Sequence, residues 1–298
     1  MTLHIMLPFY GRFDHFRLAV ESVLAQSDAD WTLTIVDDVY PDLAPGEWAV
    51  ALGDPRIRYL RNEQNLGVSK NYLRCVSLME GEYSVMFGCD DVMLPGYVAR
   101  AKELIAQFPG AAVIQPGVEV IDEDGRVYLP LVDRIKALYR FRGRGARQYA
   151  GERLAANLLR GNWTYFPALI WRVDLLRKHG FHGELDVVQD LIMLLDIAAD
   201  DGSFVLDDRV VFQYRRHHAS VSSAMAADGS RFAQERQLFD EQAARFDAMG
   251  WRKAARAARV HLSSKLNALT RLPVAIRARN GRGIRALLTH AVGRRIRP

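Results

Sequence analysis

Short apolar segments alternate with helical hydrophobic periodicity along the first half of this sequence. Strands are predicted for four apolar runs: HIMLP (4–8), TLTIVDD (32–38), IRYL (57–60) and YSVMFG (83–88). Helices with one apolar face are predicted over residues 13–26 and 68–80. Parallel strands joined by crossover helices produce this order, so we predict an α/β fold that begins as a Rossmann-like domain with a mainly parallel central sheet.

The pattern changes near residues 214–223. The segment HHASVSSAMAADGS is rich in turn-forming residues, and the sequence after it has helical periodicity. We therefore predict a boundary at residues 225/226 and a helical C-terminal appendage over residues 226–298. Within its residues 251–298 we expect two or three helices, interrupted near Pro273 and near Asn280 and Gly281.

Composition narrows the class of protein. The chain has 298 residues, of which 49% are hydrophobic, enough for a sizeable core. Its two cysteines, Cys75 and Cys89, have neither metal-ligand spacing nor the pattern of a disulfide framework, which suits a reducing compartment. There is no run of about 18 apolar residues, and the N-terminal MTLHIMLPFYGR lacks the charged region of a signal peptide. We expect a cytoplasmic protein, or one attached only to the surface of the membrane's cytoplasmic face.

Charge is distributed unevenly. Residues 251–298 contain 13 Arg and Lys and no Asp or Glu, so a net charge of +5 for the whole chain leaves −8 for residues 1–250. The apolar residues that interleave with these cations are Val260, Leu262, Leu266, Leu269, Leu272, Ile276, Ile284, Leu287, Leu288 and Val292. Basic amphipathic helices bind anionic leaflets, so we predict that residues 251–298 contact an anionic membrane surface.

Two other partners for this tail are considered. Its apolar helix faces can instead pack on the rest of the chain or on a second copy of it in a homodimer. Nucleic acid is not an expected partner, because the residues between the cations are aliphatic and not the aromatic ones on which bases stack.

Pairs of carboxylates follow two of the predicted strands. Asp37 and Asp38 end one of them, and Asp90 and Asp91 follow another within MFGCDDVMLP. Ligands of open α/β sheets bind at the carboxyl ends of strands, so both pairs are expected near a ligand. The first strand is followed by PFYGRFDHF, which contains neither a GxGxxG nor a GxxxxGK phosphate-binding motif. Adjacent carboxylates are stabilised by a hard cation, so we predict Mn²⁺ or Mg²⁺ carrying a diphosphate; the alternative is that Asp90 and Asp91 only cap the next turn.

A series of ordered motifs resembles the family 2 glycosyltransferases, which are inverting enzymes with the nucleotide-sugar-binding GT-A fold. The motifs cover about three quarters of the chain and are IMLPFYGR from residue 5, AVESVLAQ (19–26), TIVDD (34–38), NEQNLGVSKN (62–71), GEYSVMFGCDD (81–91), VVQDLIMLLDIA (187–198) and YRRHHASVS (214–222). The sequence departs from the family's usual pattern in that Gly11 replaces Asn, Gly88 replaces the first Asp of D-x-D-D, and Gln189 replaces Glu.

The resemblance implies a GT-A catalytic domain over residues 1–225, with a nucleotide-binding part (1–115) and an acceptor-side part (116–225). It implies metal-dependent transfer of a sugar, with inversion, from a UDP- or dTDP-sugar to a hydroxyl of a glycan or lipid-linked acceptor in bacterial surface glycan or glycolipid synthesis. Two rival interpretations are a sugar-phosphate nucleotidyltransferase and a non-catalytic module that binds nucleotide sugar or membrane.

The same resemblance implies roles for individual residues. The nucleotide-binding residues would be Pro8, Phe9, Tyr10, Asp38, Lys70 and Asp90, with Asp38 accepting a hydrogen bond from a pyrimidine N–H. The metal ligands would be Asp91, Asp90 and His217. The residues on the diphosphate would be Arg215 and Arg216.

Asp190 matches the family's catalytic base, which removes the acceptor proton during an in-line displacement. A capping role for Asp190 at the helix N-terminus is the alternative, and Asp186 and Glu184 are alternative bases. The segment GNWTYFPALIW (161–171) would line the acceptor site through Asn162, Trp163 and Phe166, while the basic segment 134–149 is predicted to be a mobile loop near its entrance.

Overall fold

The computed structural model of the protein describes residues 1–180, 188–216, 230–277 and 279–292. The strands are β1 (Leu3–Phe9), β2 (Trp31–Asp37), β3 (Ile57–Arg61), β4 (Tyr83–Met86), β5 (Val92–Met93), β6 (Val113–Ile121), β7 (Arg147–Ala150), β8 (Ile170–Arg172) and β9 (Ser203–Arg215). The helices are α1 (Phe13–Leu24), α2 (Ala44–Ala51), α3 (Val68–Leu78), α4 (Tyr97–Gln107), α5 (Leu131–Tyr139), α6 (Gly151–Arg160), α7 (Val173–His179), α8 (Gln189–Ala199), α9 (Ser230–Ala248), α10 (Arg252–Val260), α11 (Leu262–Arg277) and α12 (Gly281–Val292), with a 3₁₀ turn at Phe166–Ala168.

The strands of this part of the chain form one mixed sheet in the order β3-β2-β1-β4-β8-β6-β9-β5, and β7 also pairs with β9. The three longest pairings, β6 with β9, β1 with β2, and β2 with β3, are parallel. The antiparallel partners are the shorter strands β5, β7 and β8. The predicted α/β fold with a mostly parallel sheet is therefore confirmed.

Helices cover both faces of the sheet. The first strands are buried on both sides, and their alternating side chains enter two different cores. Ile5 and Leu7 point to a core that includes α1, α2 and α4. Met6 and Val36 point to the opposite core, which includes α3, α6, α7, α8 and the first two helices of the C-terminal region. Burial on both faces explains why these strands read as continuous apolar runs.

The strands and helices predicted for residues 4–88 are all present, with ends that differ by a few residues. Helix α2 was not predicted from the sequence. Its eight residues, APGEWAVA, place Pro45 and Gly46 in the first turn. Backbone N–H groups of the first turn have no partner within a helix, so the missing N–H of proline costs no hydrogen bond there. Gly46 is required there because a Cβ would lie 2.3 Å from the hydroxyl of Tyr59. Close packing against β3 thus forms a helix that periodicity alone does not indicate.

The C-terminal helices pack on the α/β domain and on each other. Small residues on α10, Ala254, Ala255 and Ala258, are completely buried, and α10 packs against α6 and α9. Ring stacking of Trp251 on Phe246, with centroids 5.4 Å apart, fixes the turn between α9 and α10. One prediction was wrong: α11 continues through Pro273, and the helices of residues 251–292 are instead separated at residue 261 and near residue 280.

The apolar tail residues that we expected to form helix faces are mostly exposed. Leu287 is buried with Ala268, Ala275 and Phe232, whereas Leu262, Leu266, Leu269 and Ile276 are more than two fifths exposed. Contact of the tail with a membrane or a second copy therefore stays a prediction. So does the boundary at residues 225/226, which lies outside the described residues. Within the described ranges, none of the helices combines the length and hydropathy needed to cross a bilayer.

Candidate active site

The carboxyl ends of five strands meet at one edge of the sheet. Strands β1, β2 and β4 are parallel, and β6 and β9 run in the same direction through the antiparallel strand β8. Tyr10, Asp38, Asp90 with Asp91, and Arg215 follow or end these strands. Both carboxylate pairs therefore lie at one edge of the sheet, and binding of a ligand at this edge stays a prediction.

Asp91 is buried at this edge, with 1% of its surface exposed. Its Oδ1 accepts a hydrogen bond from the Arg215 backbone N–H at 2.8 Å, while its Oδ2 is buried without a hydrogen-bond partner in the described part of the chain. Burial, and after it repulsion from Asp90, raises the pKa of Asp91 well above its ordinary value. An unsatisfied buried carboxylate oxygen beside a second carboxylate fits a divalent cation.

Arg215 holds the Asp90–Asp91 turn in place. Its Nε donates to the Asp90 carbonyl at 2.7 Å, and its Nη1 donates to the carbonyls of Asp122 and Glu123 at 3.0 and 3.1 Å. The side chain is buried, with 3% exposed. We therefore correct the prediction that Arg215 clamps a diphosphate: its guanidinium is used to position the carboxylate turn.

Gly88 stands where the family commonly has an additional Asp, and the structure explains the replacement. A Cβ at this position would lie 2.3 Å from Asp91 Oδ2 and 3.3 Å from Asp90 Oδ1. The Asp91 carboxylate occupies the space that a longer side chain at residue 88 needs, so the chain retains two carboxylates here and not three.

We expect Gly88→Ala to displace the Asp91 carboxylate and to weaken Mn²⁺-dependent UDP binding roughly tenfold or more, the range seen when the positioning of a metal ligand is lost. Titration calorimetry with UDP in the presence and absence of Mn²⁺ measures this effect. Gly96→Ala is the matched control, since its Cβ would make only an ordinary 3.8 Å contact with Val211. Equal affinities for the two variants would contradict the assignment of Asp91.

Asp38 organises the turn that begins α3. Its Oδ1 accepts from Asn62 Nδ2 at 2.7 Å and from the Leu66 N–H at 2.8 Å, and its Oδ2 accepts from the Gly67 N–H at 2.9 Å. Gly67 has a φ of 76°, which favours glycine, and the helix begins at the next residue as predicted. The hydrogen bond that Asp38 would accept from a pyrimidine N–H stays a prediction; in this structure its carboxylate accepts from groups of the turn.

Val39, directly after this carboxylate, has a φ of 61°. The left-handed region is strained for a β-branched residue. Asp37 supports the same loop, because its carboxylate accepts from the Tyr40 N–H at 2.7 Å and from Arg61 Nη1 at 2.5 Å. These Asp37 contacts were not predicted, since Arg61 is 24 residues distant in sequence.

The three residues predicted to bind the base differ in exposure. Pro8 is buried and Phe9 is completely buried, with its ring 4.2 Å from that of Phe16. The buried side chains of Pro8 and Phe9 leave only the backbone of these two residues to contact a base, and nucleotide binding by the turn stays a prediction. Tyr10 is 54% exposed and meets Tyr40 edge to face at 5.5 Å. The pair lies at the ends of β1 and β2. Tyr10 was predicted to bind the base, whereas Tyr40 was not.

Asp190 lies in the first turn of α8, as expected. Its Oδ1 accepts from the Leu191 N–H at 2.8 Å, and its Oδ2 accepts from Asn162 Nδ2 at 3.0 Å. The Asn162 amide is itself oriented by Thr164, whose hydroxyl donates to Asn162 Oδ1 at 2.7 Å. The sequence indicated both Asp190 and Asn162 as site residues, but their direct contact is visible only in the fold.

The start of α8 is joined to the start of α3. Gln189, which replaces the family's common Glu, donates from Nε2 to the Ser69 hydroxyl at 2.9 Å. Ser69 follows the turn that Asp38 holds, so this bond connects the candidate base to the ligand-binding edge. Lys70, predicted to reach the nucleotide, is exposed on the same helical turn. The alternative bases Asp186 and Glu184, and the predicted metal ligand His217, lie outside the described residues.

The aromatic residues predicted for the acceptor site have different environments. Trp163 is 1% exposed, donates from Nε1 to Asn157 Oδ1 at 2.6 Å and packs against Phe204. We therefore correct its assignment, because a ring enclosed in the core has no surface for an acceptor. Phe166 is half-buried and stacks on Tyr72 with 5.7 Å between centroids. Its contact with an acceptor stays a prediction.

Arg216 contributes to an ion-paired cluster that the sequence did not indicate. Its Nε and Nη2 donate to the carboxylate of Asp133 on α5 at 2.5 and 2.9 Å, and the Tyr165 hydroxyl donates to the same carboxylate at 2.8 Å. Burial, and after it Asp133, raises the pKa of Tyr165. The contact of Arg216 with a diphosphate stays a prediction. The available signal was that Asp133 is the only acidic residue within 126–149, a segment that contains seven Arg and Lys.

The structure differs from the prediction that residues 134–149 form a mobile loop. Much of this segment is ordered secondary structure, since it contains the end of α5 and the start of β7.

Groups of three or more His, Cys, Asp or Glu able to hold a metal ion do not occur within the ranges that the structure describes. Asp90 and Asp91 are the candidate ligands there.

Comparison with known proteins finds relatives that are described as glycosyltransferases or polysaccharide biosynthesis proteins. A relative of Escherichia coli, described as a colanic acid biosynthesis glycosyl transferase (WcaA), is 30% identical over 108 residues, which are 35% of this chain and 39% of that protein. An uncharacterized glycosyltransferase of Methanocaldococcus jannaschii is 22% identical over 204 residues, 67% of this chain and 66% of that protein. The succinoglycan biosynthesis protein ExoO of Rhizobium meliloti is 29% identical over 39% of this chain and 33% of its own length.

Among solved structures, Staphylococcus aureus TarS residues 1–349, crystallised with UDP-GlcNAc, aligns with a TM-score of 0.64 at 15% identity. The alignment covers 100% of this chain and 93% of that chain. This similarity confirms the predicted GT-A type of fold. The profile described as Glycosyl transferase family 2 matches residues 4–163, more than half of the chain. With the ordered motifs, the sheet and the paired carboxylates at its carboxyl edge, this match shows that the chain belongs to glycosyl transferase family 2.

Proposed function

We propose that this protein is an inverting glycosyltransferase that moves a sugar from a UDP- or dTDP-sugar to a hydroxyl acceptor. The observation that carries the proposal is the buried Asp91 carboxylate, one oxygen of which has no hydrogen-bond partner among the residues that the structure describes, beside Asp90 at the edge where the parallel strands end. A nucleoside diphosphate needs its negative charge neutralised, and this pair supplies oxygen ligands for Mn²⁺ or Mg²⁺. When bound there, the cation would stabilise the departing diphosphate.

The roles of the chain's own residues follow from their positions. Tyr10 is 54% exposed and the partly buried Tyr40 meets its ring edge to face, so this pair offers ring surface at the ends of β1 and β2, where a base would stack. Asp190 would accept the proton of the acceptor hydroxyl through its carboxylate, which Asn162 and the Leu191 N–H orient. An oriented carboxylate at a helix N-terminus stays ionised, which is the form that a general base requires.

The biological setting is proposed from the relatives. Two of them are named for the synthesis of colanic acid and succinoglycan. The structural neighbour was crystallised with UDP-GlcNAc. These names support a role in bacterial surface polysaccharide synthesis and a UDP-sugar donor for this chain.

The rival closest in chemistry is a sugar-phosphate nucleotidyltransferase. Such an enzyme needs a glycine-rich loop with a basic residue after its first strand to bind a triphosphate. Here β1 ends at Phe9 and α1 begins at Phe13, so only residues 10–12 connect them. Backbone N–H groups of so short a connection cannot surround a triphosphate. The geometry therefore favours sugar transfer.

Release of nucleoside diphosphate from a panel of donors, measured with and without Mn²⁺, tests this function. We expect UDP- or dTDP-sugars to be turned over, by slow hydrolysis when the acceptor is absent, and chelation with EDTA to abolish the release. In a thermal-shift assay, UDP and dTDP with Mn²⁺ should raise Tm more than GDP or ADP does. Pyrophosphate release from UTP and a sugar 1-phosphate would instead support the nucleotidyltransferase.

A further inference from the structure

Helix α5 is oriented with its polar side toward the protein and its apolar side toward solvent. Leu131, Ile135 and Leu138 are spaced as neighbours on one side of the helix, and they are 68%, 41% and 67% exposed. Amphipathic helices of globular proteins show the opposite arrangement. The orientation of α5 therefore requires a physical explanation, and it leaves an apolar surface exposed to solvent.

Buried polar contacts are the cause. On the inner side of α5, Asp133 accepts two hydrogen bonds from Arg216 and one from Tyr165. One turn further, Lys136 Nζ donates to the Thr164 carbonyl at 3.0 Å and lies 4.5 Å from the centre of the Tyr165 ring. Turning the helix over would bury the leucines but would break this ion-paired cluster, whose carboxylate is hidden from water.

The exposed apolar side continues into the segment before the helix. We define the α5 surface as the seven exposed apolar side chains of residues 127–138, which are Val127, Tyr128, Leu129, Leu131, Val132, Ile135 and Leu138. Single exposed apolar residues are ordinary, but a contiguous group of this kind marks an interaction site.

The charge around the α5 surface is strongly positive. Residues 126–149 contain seven Arg and Lys and one acid, Asp133, which is neutralised by Arg216. Arg142 and Arg144 are exposed beyond the end of α5. Arg142 lines a cavity of about 320 Å³ together with Arg140, Arg147, Asp207 and the exposed Asp208, so cations outnumber acids there. The Asp207 carboxylate is bound by Arg100. At the N-terminal end of the α5 surface, Arg126 pairs with Asp124, which is the only ion pair there among the described residues.

We propose that the α5 surface docks the protein on an anionic lipid bilayer. Leucine, valine and tyrosine side chains would enter the interface, while the surrounding arginines would contact lipid phosphates. The same helix holds Arg216 and Tyr165 on its inner side. If the proposed glycosyl transfer holds, docking through α5 would present the acceptor side of the site to lipid-linked hydroxyls.

Flotation of the full-length chain with vesicles tests this docking without any nucleotide. The wild type should float with vesicles that contain phosphatidylglycerol, less so at high salt, and should not float with phosphatidylcholine alone. Leu131→Gln with Leu138→Gln should lower the partition coefficient roughly tenfold or more, because two apolar side chains lose their burial. Arg142→Glu with Arg144→Glu should also weaken flotation, mainly at low salt.

Matched controls separate this surface from others. Val50→Gln changes a residue on α2 that is 64% exposed, and it should leave flotation unchanged. Leu262→Gln with Ile276→Gln alters residues that are 52% and 59% exposed on the C-terminal helix α11, and it tests the separate prediction that the tail contacts a membrane. Docking through the α5 surface requires this variant to lower flotation less than the α5 variant does. Flotation that is lost in the α11 variant and kept in the α5 variant would overturn the proposal.

Two further outcomes would also overturn it. The first is a wild-type protein that stays unbound at low salt. The second is self-association, seen by analytical ultracentrifugation, that the α5 variant abolishes while flotation is absent, which would make a second copy the occupant. Calorimetry of UDP with Mn²⁺ on each variant reports the proposed donor site separately. Intact UDP binding without flotation rejects docking alone, and flotation without UDP binding rejects the donor site alone.

Discussion

Replacing Asp190 with asparagine is expected to lower kcat by about 100-fold or more, the effect expected for loss of a general base. Asparagine has nearly the same shape and can still accept from the Leu191 N–H through its Oδ1. It cannot accept a proton from an acceptor hydroxyl. The affinity for UDP with Mn²⁺ should therefore stay close to that of the wild type, since Asp90 and Asp91 are unchanged.

Asp174→Asn is the matched control for Asp190→Asn. Asp174 occupies the first turn of α7, and its Oδ1 accepts from the Leu175 N–H at 2.8 Å, as Asp190 does from Leu191. Steady-state kinetics and calorimetry on both variants separate loss of the base from loss of helix capping. Wild-type turnover by Asp190→Asn would move the base to Asp186 or Glu184. Equal losses in both variants would make capping the role of Asp190.

Replacing Asp91 with asparagine is expected to abolish the Mn²⁺-dependent part of UDP binding. Loss of a direct ligand should cost at least the 10–100-fold in affinity that is typical for outer-shell partners of a metal. The fold should tolerate the change, because the Asp91 carboxylate is buried beside Asp90 and burial disfavours its charge. Calorimetry with UDP and Mn²⁺, and Tm measured in EDTA, give the two readouts.

Asp124→Asn removes the same charge from an exposed carboxylate that follows β6 at the same edge of the sheet. It should leave UDP affinity within a factor of about two, because an exposed charge is screened by solvent and salt. If Asp91→Asn binds UDP with Mn²⁺ as tightly as the wild type does, the assignment of the metal to this pair is wrong. A large drop in Tm for Asp91→Asn would indicate a structural role.

Periodicity and strand ends could be interpreted without the fold because they are local. The apolar runs at residues 4–8 and 32–38 became strands since both faces of a parallel sheet are buried, which requires continuous apolar sequence. The pairs ending in Asp38 and Asp91 were placed at one edge by the rule that parallel strands end together. Asp190 was indicated by its position at the start of an apolar helix and by resemblance to the family.

What the sequence by itself determined is therefore the order of strands and helices, the edge that carries the carboxylates, and the family. Only the tertiary structure decided which side chains are exposed and can contact a ligand. Phe9 packs on Tyr40 and Trp163 packs on Phe204, both distant in sequence, and Arg215 is bound to carbonyls more than 90 residues away. The outward apolar side of α5 likewise depends on Asp133 meeting Arg216. A local pattern specifies how a segment folds, but which of its faces is buried depends on partners that the fold brings together.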